Sequence, residues 1–435
     1  MEARLTPAWR RLSVAATAAA LAVSAPAAAQ SQAAGFIASA CPPQVEDIAS
    51  CHVTRDGNGA WLLAAIPKQG YRGLVVHAHG GPRLGAPKLE DSGRDLARYR
   101  AMLEAGYAWI GSSYRRGGYG VRSAAADVEN SRRLFVAHWG EPARILLHGQ
   151  SWGGNVAGKV AETYALDLEG RPNYHAVLTT NGVMTGGSRA YGFRADLRAV
   201  YQYYCGNHPK PDEAQYPLWQ GLPADVRLPR AELERRVDAC TGVSLPPRRR
   251  TPAQSARLAD ILAVTGIAEQ SLVAHLAWAT YSFRDLVQRR LGGANPFDNA
   301  TTVYRGSRDD EALNAGVERF AADPDAVARL AYDADLSGLI VRPVLNIHAA
   351  YDPTVSAEAL AAYRATIDRA GRGHLLAQAR TGESDHSRLL DATYRTALRA
   401  LELWLDTGAR PDAASLQALC RQMDATPGHC RFLPP

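Results

Sequence analysis

The sequence predicts an α/β fold, a mostly parallel sheet with helices on both faces, and three observations carry that expectation. Short apolar, β-branched runs alternate with helical stretches from about residue 74 to 180, the spacing of strand-helix-strand units. One run, Ile145-Leu146-Leu147-His148, breaks at Gly149-Gln150-Ser151-Trp152-Gly153-Gly154 and resumes in the small residues of a tightly packed helix. Strand character then stops after Ala176-Val177-Leu178-Thr179-Thr180 and returns only at Val341-Arg342-Pro343-Val344-Leu345-Asn346-Ile347-His348.

Taken in order, residues 1–30 have the form of an export signal. Arg4, Arg10 and Arg11 precede an apolar stretch from Leu12 to about Ala25, and Ala27-Ala28-Ala29 supplies a cleavage site. Residues 31–70 read as a disulfide-tied segment that feeds into strands, Ala60 to Ile66 among them. The first part of the core spans 71–187. Within it Leu74 to His79 is a strand halted by Gly80-Gly81-Pro82, Ser92 to Ala105 a helix, Tyr107 to Ser113 a strand, and Ala124 to His138 a helix. Residues 188–335 show helical periodicity and no strand, with the clearest helices over Pro252–Leu262, Ile267–Val287 and Ala312–Ala322. Residues 336–435 close the core, where a helix over Ser387–Asp406 places Leu389, Tyr394, Leu398, Leu401 and Leu403 toward the sheet.

Composition narrows the function classes. The chain has 435 residues, is 46% hydrophobic and carries a formal charge of +6, two units of which lie in the first thirty residues. That excess is too small to argue for nucleic acid, and Arg248-Arg249-Arg250 after two prolines reads as a solvated loop. Past the signal no run of about 18 apolar residues occurs, so no membrane span is expected. The six cysteines fall into three local pairs, Cys41 with Cys51, Cys205 with Cys240 and Cys420 with Cys430, which suits disulfides in a periplasmic or secreted protein. None has the tight spacing of a zinc ligand set, so neither a metal nor another cofactor is expected.

The chemistry is expected around Ser151. A strand-turn-helix context makes Gly-x-Ser-x-Gly a nucleophile turn, because a Cβ at Gly149 or Gly153 would collide with a neighbouring strand or helix. A serine hydroxyl needs a base, and the base needs an acid to orient it. Both belong in loops after later strands. Asp352 stands just beyond the strand that ends at His348, and His386 stands in the loop before the helix of residues 387–406, which gives the order Ser, Asp, His. Asp385 is a rival acid, but a sequence neighbour of the histidine points elsewhere; His77, His79 and His148 sit in or at the ends of core strands and read as structural. The oxyanion of acyl transfer needs two N–H donors. Trp152, after the nucleophile, supplies one; the other comes from Gly80 or Gly81, with Gly81 preferred, since Pro82 has no N–H.

Residues Leu74 to Gly187 and Val341 to Leu403 resemble the α/β-hydrolase superfamily. The stretch Gly106-Tyr107 to Ser112-Ser113-Tyr114-Arg115-Arg116-Gly117-Gly118-Tyr119-Gly120 is similar to its prolyl-oligopeptidase branch, and the insertion before the Asp352 strand is similar to the cap of esterases, lipases and proline iminopeptidases. The end, Trp404 to Pro411, resembles the close of tannase and feruloyl esterase domains. The resemblance implies an α/β-hydrolase fold, Ser151, Asp352 and His386 as a triad, and Trp152 and Gly81 as oxyanion donors. The expected activity is cleavage of a small carboxylic ester through an acyl-enzyme. The alternative is an aminopeptidase or prolyl peptidase acting on short peptides, which would need an acid such as Glu232, Glu234 or Glu269 to hold an amino terminus. An acyltransferase and a non-catalytic binding protein rank below both. Tyr201, Tyr203, Tyr204, Tyr216, Trp219, Trp278 and Tyr281 make the insertion rich in aromatics, as lining for a hydrophobic ester or as the insertion's own core.

Overall fold

The computed structural model describes residues 35–434; the export signal expected over residues 1–30 lies outside them. Nine strands form one sheet: β1 (Ile37–Ser39), β2 (Ala49–Arg55), β3 (Trp61–Pro67), β4 (Gly73–Ala78), β5 (Tyr107–Ser112), β6 (Ile145–Gln150), β7 (Ala176–Thr180), β8 (Val344–Ala349) and β9 (Leu376–Thr381). Their spatial order is β1-β2-β3-β5-β4-β6-β7-β8-β9. The first three strands pair antiparallel, β3 meets β5 antiparallel, and every later pair is parallel. β4 to β8 are buried at every residue, which is why they read as unbroken apolar runs rather than alternations.

Helices cover both faces. α1 (Leu89–Arg98), α2 (Arg100–Glu104), α3 (Val121–Trp139) and α4 (Trp152–Thr163) belong to the first half of the core. α3 and α4 pack on one face, and α1 and α2 on the other. Between β7 and β8 lie α5 (Gly187–Cys205), α6 (Arg230–Thr241), α7 (Pro252–Thr265), α8 (Leu272–Ala277), α9 (Asp310–Gly316) and α10 (Pro324–Ala334), with no strand among them. The chain ends with α11 (Glu358–Arg369), α12 (Asp391–Thr407) and α13 (Ala413–Met423). This is the α/β-hydrolase fold, and its strand order reverses at β4, with β5 on one side and β6 on the other. A crevice opens beyond the carboxyl ends of strands at such a switch point. The Gly80-Gly81 loop follows β4 and Ser151 follows β6, so the topology alone puts both there.

Three elements differ from expectation, each because of a contact that its side chains make. The helix expected over Ser92–Ala105 divides at Tyr99, whose buried ring packs against His77 and His148 at centroid distances of 4.8 Å. The helix expected over Ile267–Val287 becomes α8 followed by π-helical turns over Trp278–Ser282 and Asp285–Arg290. There the Thr280 hydroxyl bonds back to Leu276 O (2.7 Å), which loosens the regular ladder. α9 stops at Gly316 because Asn299 takes over the next backbone, donating to Glu318 O (2.8 Å) and accepting from Phe320 N (2.7 Å). The disulfides are Cys41–Cys51, Cys205–Cys240 and Cys420–Cys430. The middle one joins the ends of α5 and α6.

Candidate active site

Ser151 stands between β6 and α4 at φ 56° and ψ −127°, a conformation that side chains rarely adopt. The turn is held from three sides. Ser151 N donates to Thr180 O (3.2 Å), while Ser151 O accepts from Gly154 N and Val183 N, both at 2.9 Å. A Cβ on Gly153 would stand 2.1 Å from Ala78 O of β4, and one on Gly149 would stand 2.2 Å from Gly153 O. The close approach of strand and helix that glycine permits is therefore what lifts the serine hydroxyl out of the sheet.

Asp352 and His386 come to that hydroxyl from the loops after β8 and β9. His386 Nε2 lies 2.7 Å from Ser151 Oγ, and Nδ1 lies 2.8 and 3.0 Å from the two oxygens of Asp352. An ionised carboxylate can only accept, so Nδ1 carries the proton and Nε2 presents a lone pair to the serine. The Asp352 side chain has no exposed surface, and its Oδ1 also accepts from Thr354 N (2.7 Å) and Val355 N (3.0 Å). Asp385 turns away and accepts from Ser387 N (2.8 Å).

Two amides that sequence reading passes over hold the histidine loop in place. Gln150 Nε2 donates to His386 O (2.8 Å), and Asn181 Nδ2 donates to His386 O (2.9 Å) and Asp385 O (3.0 Å). Asn181 Oδ1 accepts from Ala349 N (2.8 Å) at the end of β8, so one side chain ties the loops of the acid and the base together. The single signal in the sequence is Asn181-Gly182 directly after a strand, a pair suited to the positive φ of 47° that Asn181 adopts. Below the loop, burial pushes the Glu383 carboxyl above its ordinary range, where it accepts from Thr381, Thr393 and Leu390 N.

Trp152 is the first residue of α4, so its N–H has no acceptor within the helix and lies at the positive end of the helix dipole. The loop after β4 passes directly over the nucleophile. A Cβ on Gly80 would meet Gln150 Oε1 at 2.6 Å and Ser151 Cβ at 3.4 Å, whereas Gly81, at φ 74°, faces open space. His79 supports this loop. Its ring stacks on Tyr114 at 3.9 Å, burial pushes its pKa down to about 3, and the neutral ring donates through Nδ1 to Gly80 O (3.1 Å). Tyr114 OH in turn donates to His79 O (3.2 Å).

A cavity of about 650 Å³ opens beside the triad, with Val183, Asp352, Pro353, Phe193, Arg194 and His275 among its walls. None of the seven aromatics singled out in the insertion lines it. They pack instead: Tyr201 is fully buried, Trp278 stacks on Tyr191 at 4.6 Å, and Tyr281 OH donates to Leu228 O. Tyr191 OH accepts from Trp152 Nε1 at 3.1 Å. The three acids singled out in the insertion are already paired, Glu232 with Arg236, Glu234 with Arg230 and Glu269 with Arg250.

No family model and no curated protein matches the chain. Among solved structures it is similar to an esterase from Aspergillus oryzae, 14% identical at a TM-score of 0.43, over 83% of this chain and 80% of that one. It is similar to a rice cell wall degrading esterase from Xanthomonas oryzae, 14% identical at a TM-score of 0.39, over 80% and 90% of the two chains. Pyrococcus horikoshii acylaminoacyl peptidase is 10% identical at a TM-score of 0.38, over 85% of this chain and 41% of that one. The fold assignment rests on the strand order, the reversal at β4 and the turn after β6.

Proposed function

We propose that this protein is an exported serine hydrolase that cleaves carboxylic esters through an acyl-enzyme. One observation carries the reading: an unbroken hydrogen-bonded line from Asp352 through His386 to a serine raised on a strained turn. Ser151 Oγ attacks the carbonyl carbon as His386 Nε2 takes its proton, and Asp352 stabilises the imidazolium without itself accepting the proton. The negative charge gathers on the carbonyl oxygen between the N–H groups of Trp152 and Gly81. As the intermediate collapses, the ester C–O bond breaks and His386 returns the proton to the leaving alkoxide. Water then repeats the sequence on the acyl-serine and releases the acid.

An ester is favoured over a peptide because Glu232, Glu234 and Glu269, the acids singled out to hold an amino terminus, are paired with Arg236, Arg230 and Arg250, and none of them lines the cavity. Residues 188–335 act as a cap whose α5 and α8 wall the cavity on the Asp352 side of the triad. Three disulfides suit an oxidising compartment outside the cytoplasm. The class is tested by parallel assays of p-nitrophenyl esters and of aminoacyl and prolyl p-nitroanilides. Ester turnover that disappears in Ser151→Ala is expected; efficient anilide cleavage with negligible ester turnover would move the protein to the peptidases.

A further inference from the structure

α5 carries a buried charge that the triad does not use. Arg194 is 5% exposed, and no carboxylate among the described residues stands close enough to act on it. Its guanidinium makes one hydrogen bond, from Nη1 to Ala190 O in its own helix, and leaves Nε buried without an acceptor. Burial alone pushes its pKa down to about 10, so the group is still a cation at neutral pH. Burying a guanidinium with no partner is among the costlier arrangements in a protein core, and a methionine or leucine would fill the same space without that penalty.

The position of this cation is specific. Arg194 lines the cavity that also reaches Val183 and Asp352 at the triad. Its guanidinium carbon sits 4.5 Å from the Phe193 ring centroid and 4.9 Å from that of Trp278. Trp278 stacks on Tyr191, and Tyr191 bonds to Trp152, so two rings fix the arginine relative to the oxyanion donor. His275 lines the same cavity, buried and held neutral with its ring bonded to Pro353 O, so it neither pairs with the arginine nor adds a second positive charge beside it. Arg189 adds an exposed, unpaired cation to the cavity wall, and the carboxylates of the wall are Asp352, engaged by His386, and the exposed Glu358. Arg198, one turn further along α5, turns to Tyr216 and does not line the cavity.

The geometry points to Arg194 as the seat of a carboxylate carried by the substrate, an ester whose acyl chain or leaving group ends in a carboxylate while its scissile carbonyl lies at Ser151. The guanidinium N–H groups not spent on Ala190, already held by stacking, would take that anion in a charge-assisted hydrogen bond and give the buried cation its missing counter-charge. This inference rests on the serine hydrolase reading for its reaction, but its binding step stands apart from it.

The test uses size-matched pairs on the full-length mature protein. Mono-p-nitrophenyl adipate against p-nitrophenyl hexanoate places the carboxylate on the acyl side; 4-butyryloxybenzoate against phenyl butyrate places it on the leaving group. In one of the two pairs the anionic ester is expected to lead in kcat/KM by about tenfold or more, and Arg194→Met is expected to erase that lead. Calorimetric titration of Ser151→Ala and of Ser151→Ala with Arg189→Met, with monoethyl adipate and with ethyl hexanoate, reads binding without turnover, and a preference for the anion that survives the second substitution assigns it to Arg194 even where Arg194→Met does not fold. Equal kcat/KM within each pair, together with no tighter binding of the anion, overturns the Arg194 site and leaves the hydrolase reading standing. Tighter binding of the anion with no turnover of any ester keeps the Arg194 site and overturns the hydrolase reading.

Discussion

Asn181 shows how much of the site a single residue can hold. Its amide bonds to backbone on both sides of the triad, to Ala349 at the end of β8 and to Asp385 and His386 after β9. Replacing it by alanine removes all three bonds without touching Ser151, Asp352 or the cavity. Asn181→Ala is therefore expected to lower kcat by about 10- to 100-fold through misplacement of the imidazole, with KM little changed. A variant that loses thermal stability but keeps kcat would show that Asn181 serves the fold alone. Ser151, Asp352 and His386, which the structure brings into one hydrogen-bonded line, could be singled out from the sequence because the proposed chemistry uses few residue types in a chain order that the fold constrains. Asn181 and Gln150 were not, because an amide after a strand has no distinctive pattern until the carbonyl it meets is known. Arg194 was missed for a related reason: an arginine in a helix reads as solvated, and only its burial makes it informative.

At the scale of elements, the turn between β6 and α4 sets the tolerance of the site to change. Gly153→Ala would drive a Cβ to 2.1 Å from a backbone oxygen of β4, which cannot move without parting strand from helix. Loss of folded protein, or a destabilisation of about 3 kcal/mol or more, is expected. Gly81→Ala meets nothing within 4 Å and carries only the strain of φ 74°, about 1 kcal/mol. Thermal melts of the two variants check the contrast, and equal shifts would contradict it. The buried strands β4 to β8 were readable as apolar runs. β9 and α13 were not found: Gln378 and Arg380 interrupt the apolar character of the strand, and Arg421 and the flanking polar residues blur the helix. Helix breaks at Tyr99 and after Ala277 depend on partners far away in sequence, His77, His148 and His208, and no local pattern records them.

Across the whole molecule, burial keeps six of the described histidines neutral. Burial lowers the pKa of His77, His79, His148, His208, His275 and His348 from the ordinary 6.5, with His79 and His275 pushed down to about 3. The unfolded chain takes up protons below pH 6.5 that the folded one refuses, so their contribution is complete above that pH and is lost as pH falls toward 3. For His79 and His275 the loss is about 1.4 kcal/mol per pH unit across that window. The melting temperature is expected to fall steeply between about pH 6.5 and 4.5; a flat or rising profile would mean these rings are charged in the fold. The gap between β7 and β8 was visible in the sequence as strand runs that stop and resume, whereas the shape of the cavity depends on how α5 and α8 meet the loop of Asp352, which periodicity does not encode.

The central claim, that Ser151 becomes acylated, is tested most directly by intact-mass analysis after treatment with a fluorophosphonate. One adduct per chain is expected, mapped to the peptide that contains Ser151 and absent from Ser151→Ala. An adduct that persists in Ser151→Ala, or a wild-type protein that takes up none, would contradict it.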